Sequence, residues 1–488
     1  MTEHRHRAIF HDLVPLHGFH GTEADIRGPF VWSKKRFAVR KTGAGANYVA
    51  RFCFNGDETA LNIMVNGSVG NSITIRRGWN NYPLDFSDVG AADIEFEISY
   101  VPHVPGDSRE LGIMIRSIRK LESPQAVNMI GDSLRNKFLN DLEFADGRIV
   151  LESLPQQLRI AFDARCNIKP HCVYCDWEED KPEETATIFR LSCERLSEMG
   201  SFFSLAESVG ECIWGEPLLN SNFSEVVSHL HRCGKSLAVA TNGLLLNIRN
   251  RSLLLGKDVE LYISLDSSTP EGYARYRNNK FDQVIGNVRA LCAARPLGTL
   301  PNVIATFIAI KSNIDEFSAF VDLMKDIGVD GIRVTYLNTY PHLMNRVVRR
   351  GHSEFRYGEE CMSPEKFDLF LNVARKAAAA RGMPLLPSSD FMAADAHVNG
   401  PLCNEPWKSI NAAGSGLALC TFNHKGMVAR WSEQGNRSTE QFLFDVWNGE
   451  VYREIRSELA HGRFARQCVP WCPIVRRTPE KIWERSRR

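Results

Sequence analysis

Leu158-Arg-Ile-Ala-Phe162, followed after Asp163-Ala-Arg165 by Cys166-Asn-Ile-Lys-Pro-His-Cys172-Val-Tyr-Cys175, is the stretch that orders the rest of the chain. A short apolar run of this kind reads as a buried strand. The three thiols that follow it on one loop are soft donors delivered close together, which suits an iron–sulfur cluster. Three thiolates rather than four would leave one iron of a cubane open to a ligand that is not protein. Part of a zinc site, or simply buried thiols, would fit the triplet taken alone.

Outward from this loop, the pattern strand, loop, helix recurs about six times. Strands are expected at Leu158–Phe162, Glu211–Trp214, Ser236–Thr241, Val259–Leu265, Asn302–Ile310 and Gly331–Leu337. Helix-like runs such as Glu183–Met199 and Ile314–Ile327 lie between them. Such alternation implies parallel strands with crossover helices, and barrels of this type carry their chemistry at the C-terminal strand ends. Those ends are polar here. Strand two leads into Trp214-Gly215-Glu216-Pro217, strand three into Thr241-Asn242-Gly243, and strand four into Ser264-Leu-Asp266 followed by Tyr276-Arg277.

In these features the chain resembles the radical SAM enzymes, which carry a three-cysteine loop after the first strand of a partial (β/α)6 barrel. An aromatic usually precedes the last thiol, as Tyr174 does here. Five residues fill the first gap, where the family usually has three. The resemblance implies that Cys166, Cys172 and Cys175 ligate a 4Fe–4S cluster whose open iron chelates S-adenosylmethionine. That substrate is then reductively cleaved to a 5′-deoxyadenosyl radical. Gly215, Glu216 and Pro217 match the family's Gly-Gly-Glu-Pro, which receives the methionyl amino group, with Trp214 replacing the first glycine. By the same resemblance Asn242, Ser264 and Asp266 lie near the cofactor, the last two at the ribose hydroxyls, and Arg277 lies near its carboxylate. Hydroxyl and carboxylate groups suit ribose, and a guanidinium suits a carboxylate. A helix N-cap at Ser267, Ser268 or Thr269 is the plainer reading of this stretch and is compatible with those contacts.

Four more cysteines follow in Cys403-Asn-Glu-Pro-Trp407, Cys420 and Cys468-Val-Pro-Trp-Cys472. With Trp447-Asn-Gly-Glu-Val-Tyr-Arg-Glu-Ile-Arg456 they resemble the SPASM and twitch extensions of radical SAM proteins. The likeness implies one auxiliary 4Fe–4S cluster, fully ligated by protein and suited to electron transfer. Four thiols suit tetrahedral zinc equally well.

The first 120 residues read differently. Short β-rich runs, among them Tyr48–Phe54, Leu61–Val65, Ser72–Arg76, Ile94–Ile98 and Leu111–Ile115, are bounded by Asn55-Gly56 and Asn66-Gly67. This is the pattern of an antiparallel sandwich. It is loosely similar to modules attached to bacterial polysaccharide biosynthesis enzymes. Trp32, Trp79 and Tyr82 would either stack on sugars or fill the core. The expected organisation is therefore a β-sandwich at 1–120, a linker at 121–150, the partial barrel at 151–345, and a connecting helix with the auxiliary-cluster domain at 346–488.

Composition sets the remaining bounds. The 488 residues are 43% hydrophobic and 24% charged, as expected of a soluble globular chain. Lys+Arg 59 against Asp+Glu 58 gives +1, which offers nothing to nucleic acid. The absence of an apolar h-region or a spanning run predicts a cytoplasmic protein with no membrane span. Thirteen Cys in a reducing compartment point to metal ligation for the two groups and to free thiols for the other six. The basic stretch Arg346-Val-Val-Arg-Arg350 is either a solvated face or a contact for a phosphorylated substrate.

The function implied is a radical SAM oxidoreductase. It would abstract hydrogen from a sugar, aminocyclitol or sugar-linked small molecule and draw electrons from a donor such as flavodoxin or ferredoxin. A ribosomal-peptide maturase and a radical epimerase, with Cys212 or Cys361 as hydrogen donor, are the alternatives within the family. A non-catalytic zinc-binding module is the alternative outside it.

Overall fold

The computed structural model describes residues 9–10, 13–25, 28–103, 107–121, 123–176, 191–211, 215–295, 300–351, 353–387, 401–413, 416–423 and 426–477. Cys212, Trp214 and most of the acidic run after Cys175 lie outside them.

The N-terminal part is an antiparallel sheet of six strands: β1 (Leu13–Asp25), β2 (Gly28–Lys41), β3 (Ala46–Val65), β4 (Ser68–Phe86), β5 (Ala92–Ile98) and β6 (Met114–Lys120). The long strands β2 and β3 each pair with β5 along one stretch and with β6 along another. The sheet therefore wraps around its own core, where Phe37 stacks on Phe96 with ring centroids 4.7 Å apart. Asn66 and Gly67 form the expected tight turn, at φ 48° and 80°.

Asn55-Gly56 does not turn. β3 runs straight through it, with a break in register between Phe54 and Glu58. The opposing strand has Gly78 at φ +82°, so the two strands bulge together and stay paired beyond. Tyr82 and Trp32 are buried, as a core role requires. Trp79 packs against Phe30, with ring centroids 6.3 Å apart, and also lines the barrel cavity beneath the guanidinium of Arg116, which lies 4.3 Å from its ring centroid.

The linker stretch, whose polar run to about Gly147 reads as helix-like in the sequence, is mostly the helix Pro124–Ala145, started by Ser123, whose hydroxyl accepts from the Gln125 amide. This helix fastens several regions together. Asn136 exchanges hydrogen bonds with both backbone groups of Leu154, and Asn140 donates to the Trp407 carbonyl at 2.7 Å.

Six parallel strands follow: β7 (Gln157–Ile160), β8 (Ser208–Glu211), β9 (Ser236–Thr241), β10 (Val259–Ser264), β11 (Asn302–Ala309) and β12 (Gly331–Tyr336). This is the α/β partial-barrel class expected. The second strand starts earlier than its apolar residues suggested. Ser208–Glu211 is mostly polar, but pairing with β7 and β9 on either side fixes it as strand.

A hairpin of β13 (Val347–Arg350) and β14 (Ser353–Arg356) comes next, then β15 (Leu385–Pro387), parallel to β12. At the other edge β16 (Ser409–Ala413) lies parallel to β7, continued antiparallel by β17 (Gly416–Ala418) and β18 (Met427–Arg430). The C-terminal region is thus woven into the barrel sheet.

Along the strands, Leu158, Ile160, Leu261, Ile263, Ile332 and Val334 are buried in the core. The alternate set, including Arg159, Gly210, Ala238, Ala240, Glu260, Tyr262, Ser264 and Arg333, lines a cavity of about 850 Å³. At the N-terminal end of the barrel, Arg51, Trp79 and Asn81 from the first domain line the same cavity. The buried ion pair Arg119–Asp258, 2.9 Å, ties β6 to the start of β10 there. Among the described residues no helix is long and apolar enough to cross a membrane.

Candidate active site

The cysteine loop leaves the C-terminal end of β7 and lines the cavity with Cys166, Cys172, Tyr174 and Cys175. Burial raises the Cys166 thiol to about 11, and it raises Cys172 as well, against the Arg277 guanidinium. Arg277 Nη1 lies 3.7 Å from Cys172 Sγ, and Asn242 Nδ2 lies 4.0 Å from Cys166 Sγ. Asn242 also donates to Asn167 Oδ1 at 2.7 Å, bridging the end of β9 to the loop.

Asp266 is the hub of this end of the barrel. It is fully buried at φ 63°, a left-handed conformation that aspartate tolerates better than most residues. Its Oδ2 accepts from Arg277 Nε and Nη2, at 2.7 and 2.5 Å, and from the Tyr174 hydroxyl. Its Oδ1 accepts from the Ile308 amide at 2.7 Å. The carboxylate expected at a ribose is therefore spent inside the protein, orienting Tyr174 and Arg277. Ser264 and Arg277 do face the cavity. The N-cap of the next helix is Thr269, whose hydroxyl accepts from the Gly272 amide, not Ser267 or Ser268.

Gly215 also lines the cavity, at φ +140°. A Cβ there would come within 1.9 Å of the Asp163 carbonyl, so no other residue fits this close crossing of β7 and β8 loops. Glu216 and Pro217 are buried behind it. Glu216 accepts from the Thr241 hydroxyl at 2.6 Å, the Asn242 amide at 2.8 Å and the Leu218 amide at 3.2 Å. It caps the end of β9 rather than facing the cavity, and burial raises it to about 7 despite those donors. Pro217 opens the short turn that this carboxylate caps.

In the basic stretch Arg349 is solvated and pairs with Glu354 at 2.7 Å, whereas Arg346 and Arg350 turn to the cysteine loop. Arg346 donates to the Cys175 carbonyl at 2.5 Å. Arg350 donates to the carbonyls of His171 and Arg277, and more distantly to Pro170 and Ala274 at 3.3 Å. The β13–β14 hairpin thus clamps the long cysteine loop. Clustered arginines were visible in the sequence, but not the carbonyls that receive them.

Cys403, Cys420, Cys468 and Cys472 converge from three segments and pack against the main core. Burial, then Glu405 and the Cys472 thiol, raises Cys403; burial, then Cys472, raises Cys420. Trp471 Nε1 donates to the Phe422 carbonyl at 3.0 Å, and Asn423 Nδ2 donates to the Gln467 carbonyl at 2.7 Å, joining the two loops. Thr421 and Phe422 reach the main cavity. The Trp447–Arg456 motif has a bracing role. Trp447 Nε1 donates to the Ser153 carbonyl at 2.9 Å, and buried Arg456 donates to the Pro406 carbonyl at 2.9 Å. Cys361 is buried with its thiol toward the Asn338 carbonyl, and is not among the residues lining the cavity.

Among the described residues no three thiol, imidazole or carboxylate groups are already gathered at metal-binding distance. The donor chemistry still suits the groups expected. The triplet offers three soft ligands at one cavity wall, and the quartet offers four half-buried thiols brought from three segments.

No protein-family model matches the chain. GTP 3′,8-cyclase 1 of Mycobacterium tuberculosis is 28% identical over 193 residues, covering 37% of this chain and 51% of that protein. GTP 3′,8-cyclase of Limosilactobacillus fermentum is 26% identical over 182 residues, 37% of this chain and 53% of that protein. The chain spans about half the length of the curated relatives it matches. Among solved structures, Streptococcus suis SuiB bound to S-adenosylmethionine aligns at TM-score 0.48 and 15% identity, over 70% of this chain and 76% of that one. Native anSMEcpe with bound AdoMet and Cp18Cys peptide aligns at TM-score 0.42 and 15% identity, over 64% and 89%.

A partial parallel barrel with a three-thiol loop at its first strand end is similar to the barrel of the radical SAM enzymes, and the GTP 3′,8-cyclase relatives support an enzyme that uses S-adenosylmethionine and an iron–sulfur cluster.

Proposed function

We propose that this chain is a radical SAM oxidoreductase acting on a small polar, sugar-bearing substrate held in the barrel lumen. The observation that carries this reading is the shared cavity: the three thiols, Gly215, Asn242, Ser264 and Arg277 all line one space. Cys166, Cys172 and Cys175 would hold the cluster, with Gly215, Asn242, Ser264 and Arg277 around S-adenosylmethionine. Bound together, these cofactors supply a 5′-deoxyadenosyl radical that takes hydrogen from carbon.

The chain's own residues do the rest. Asp266 fixes Arg277 and Tyr174 from behind, and Arg346 and Arg350 hold the loop that carries the thiols. The N-terminal domain covers the far end of the lumen, which keeps water away from the reacting carbon. Cys403, Cys420, Cys468 and Cys472 would hold an auxiliary 4Fe–4S cluster able to accept an electron as a carbinol is oxidised. Electrons for the first cluster would come from a flavodoxin or ferredoxin.

The relatives named GTP 3′,8-cyclase support a sugar-linked substrate, since their name places a new bond at the 3′ position of a nucleotide. The polar lumen, with Arg159, Glu260, Tyr262 and Arg333, supports a polar one. A second reading, peptide maturation, is favoured by the quartet's likeness to SPASM proteins.

The test is anaerobic reconstitution, reduction, and detection of 5′-deoxyadenosine, followed by incubation with sugars, nucleotides and peptides in deuterated water. Two-electron oxidation lowers product mass by two hydrogens; epimerisation inserts solvent deuterium instead. No 5′-deoxyadenosine from a protein with full iron content would sink the reading.

A further inference from the structure

Among the described residues, the lumen-lining cation Arg333 makes no salt bridge. Arg333, on β12, places its guanidinium 4.1 Å from the centroid of the Tyr262 ring, and its buried Nε has no hydrogen-bond partner. Neighbouring arginines are committed: Arg159 to Glu405 at 2.7 Å, Arg277 to Asp266 at 2.5 Å and Arg119 to Asp258 at 2.9 Å. Tyr262 donates to Glu260 at 3.0 Å, so that carboxylate holds the ring on which Arg333 rests.

Register fixes the height of Arg333 in the barrel. Ser264 pairs with Thr306, and Thr306 pairs with Arg333. Arg333 therefore lies in the same register row as Ser264, the last residue of β10, and is itself midway along β12. Gly210, Ala238 and Ala240 also line the cavity and leave it room. A half-buried guanidinium without a partner is costly, and its planar fork matches an oxyanion with two parallel hydrogen bonds.

We propose that Arg333 is a substrate-anchoring residue for an oxyanion, a carboxylate or phosphate, on the molecule that enters the lumen. This rests on the reading of the lumen as the substrate site. A bound oxyanion at this height would hold the rest of the substrate close to the cysteine loop.

The test uses the anaerobically reconstituted full chain saturated with S-adenosylmethionine. Inorganic pyrophosphate and, separately, succinate are titrated by calorimetry at matched ionic strength, into the native protein and Arg333→Gln. At least one anion binds the native protein, and Arg333→Gln weakens it about tenfold or more. Arg333→Lys, keeping charge but losing the fork, falls between. Stronger pyrophosphate binding marks a phosphate as the source, and stronger succinate binding a carboxylate. Equal affinity in native and Arg333→Gln protein, or no binding of either anion, overturns the proposal. Binding seen only without S-adenosylmethionine also overturns it, since Arg333 would then be reading the methionyl carboxylate. Iron content and S-adenosylmethionine affinity, measured on the same samples, report separately on the radical reading.

Discussion

Cys166, Cys172 and Cys175 come from one loop at one strand end, whereas Cys403, Cys420, Cys468 and Cys472 come from three segments that only the finished fold assembles. The first group needs a barrel strand, a hairpin clamp and the Asp266 hub. The second needs β16 paired to β7, the Phe422–Trp471 link and the Trp447–Arg456 brace. Local spacing delivers the first set of donors, and tertiary packing delivers the second. Damage should therefore separate them: changes in the first should spare the second, while loss of the brace should empty the quartet and leave the triplet filled.

The largest expected effect comes from changing Cys166, Cys172 and Cys175 together to Ala. Cleavage of S-adenosylmethionine should vanish, and iron should fall from about eight to about four per chain. Iron falling to zero instead would break the comparison, because the quartet would then hold none. Asp266→Asn comes next. It leaves the buried Arg277 charge without its partner, and a loss of about 3–5 kcal/mol is expected in denaturant unfolding.

Arg456→Ala removes the donor to the Pro406 carbonyl and the cation resting on Trp447, whose ring centroid lies 4.4 Å away. Iron should drop by about half, with S-adenosylmethionine cleavage retained. Arg350→Gln should act in the opposite direction, slowing cluster reconstitution at the triplet and leaving the quartet unchanged, as followed by electron paramagnetic resonance.

The smallest effect concerns pH. Burial raises Glu216 to about 7 from a reference value of 4.5, so the folded chain holds this proton more tightly than the unfolded one. Stability from this group is present at low pH and declines as pH rises from about 5 through 7. Glu216→Gln should flatten that decline in melting curves. Parallel profiles for the two proteins would refute the assignment.

The barrel was legible because its signals are local. Alternating buried residues mark each strand, and the polar ends follow directly in sequence. β8 was misplaced by a few residues because its own side chains are mostly polar and its neighbours decide it. The roles of Asp266 and Glu216 were not legible, since a carboxylate at a strand end reads alike whether it faces a cavity or caps a backbone. Arg346 and Arg350 were visible as charge but not as clamps, because their partners are carbonyls that lie far away in sequence. Asn55-Gly56 misled for a related reason: a dipeptide that usually turns was held straight by the matching bulge at Gly78.

The pairing of β7 with β16 has a consequence for synthesis. A ribosome working at about 5–20 residues per second releases β7 roughly ten to fifty seconds before Ser409–Ala412 emerges. Through that interval one edge of the nascent barrel has unsatisfied amides and carbonyls, a template for association with other chains. Polypeptides cut short before residue 409 would keep that exposed edge permanently. Full-length product should therefore depend on slow, cool expression or on chaperones far more than its ordinary composition suggests.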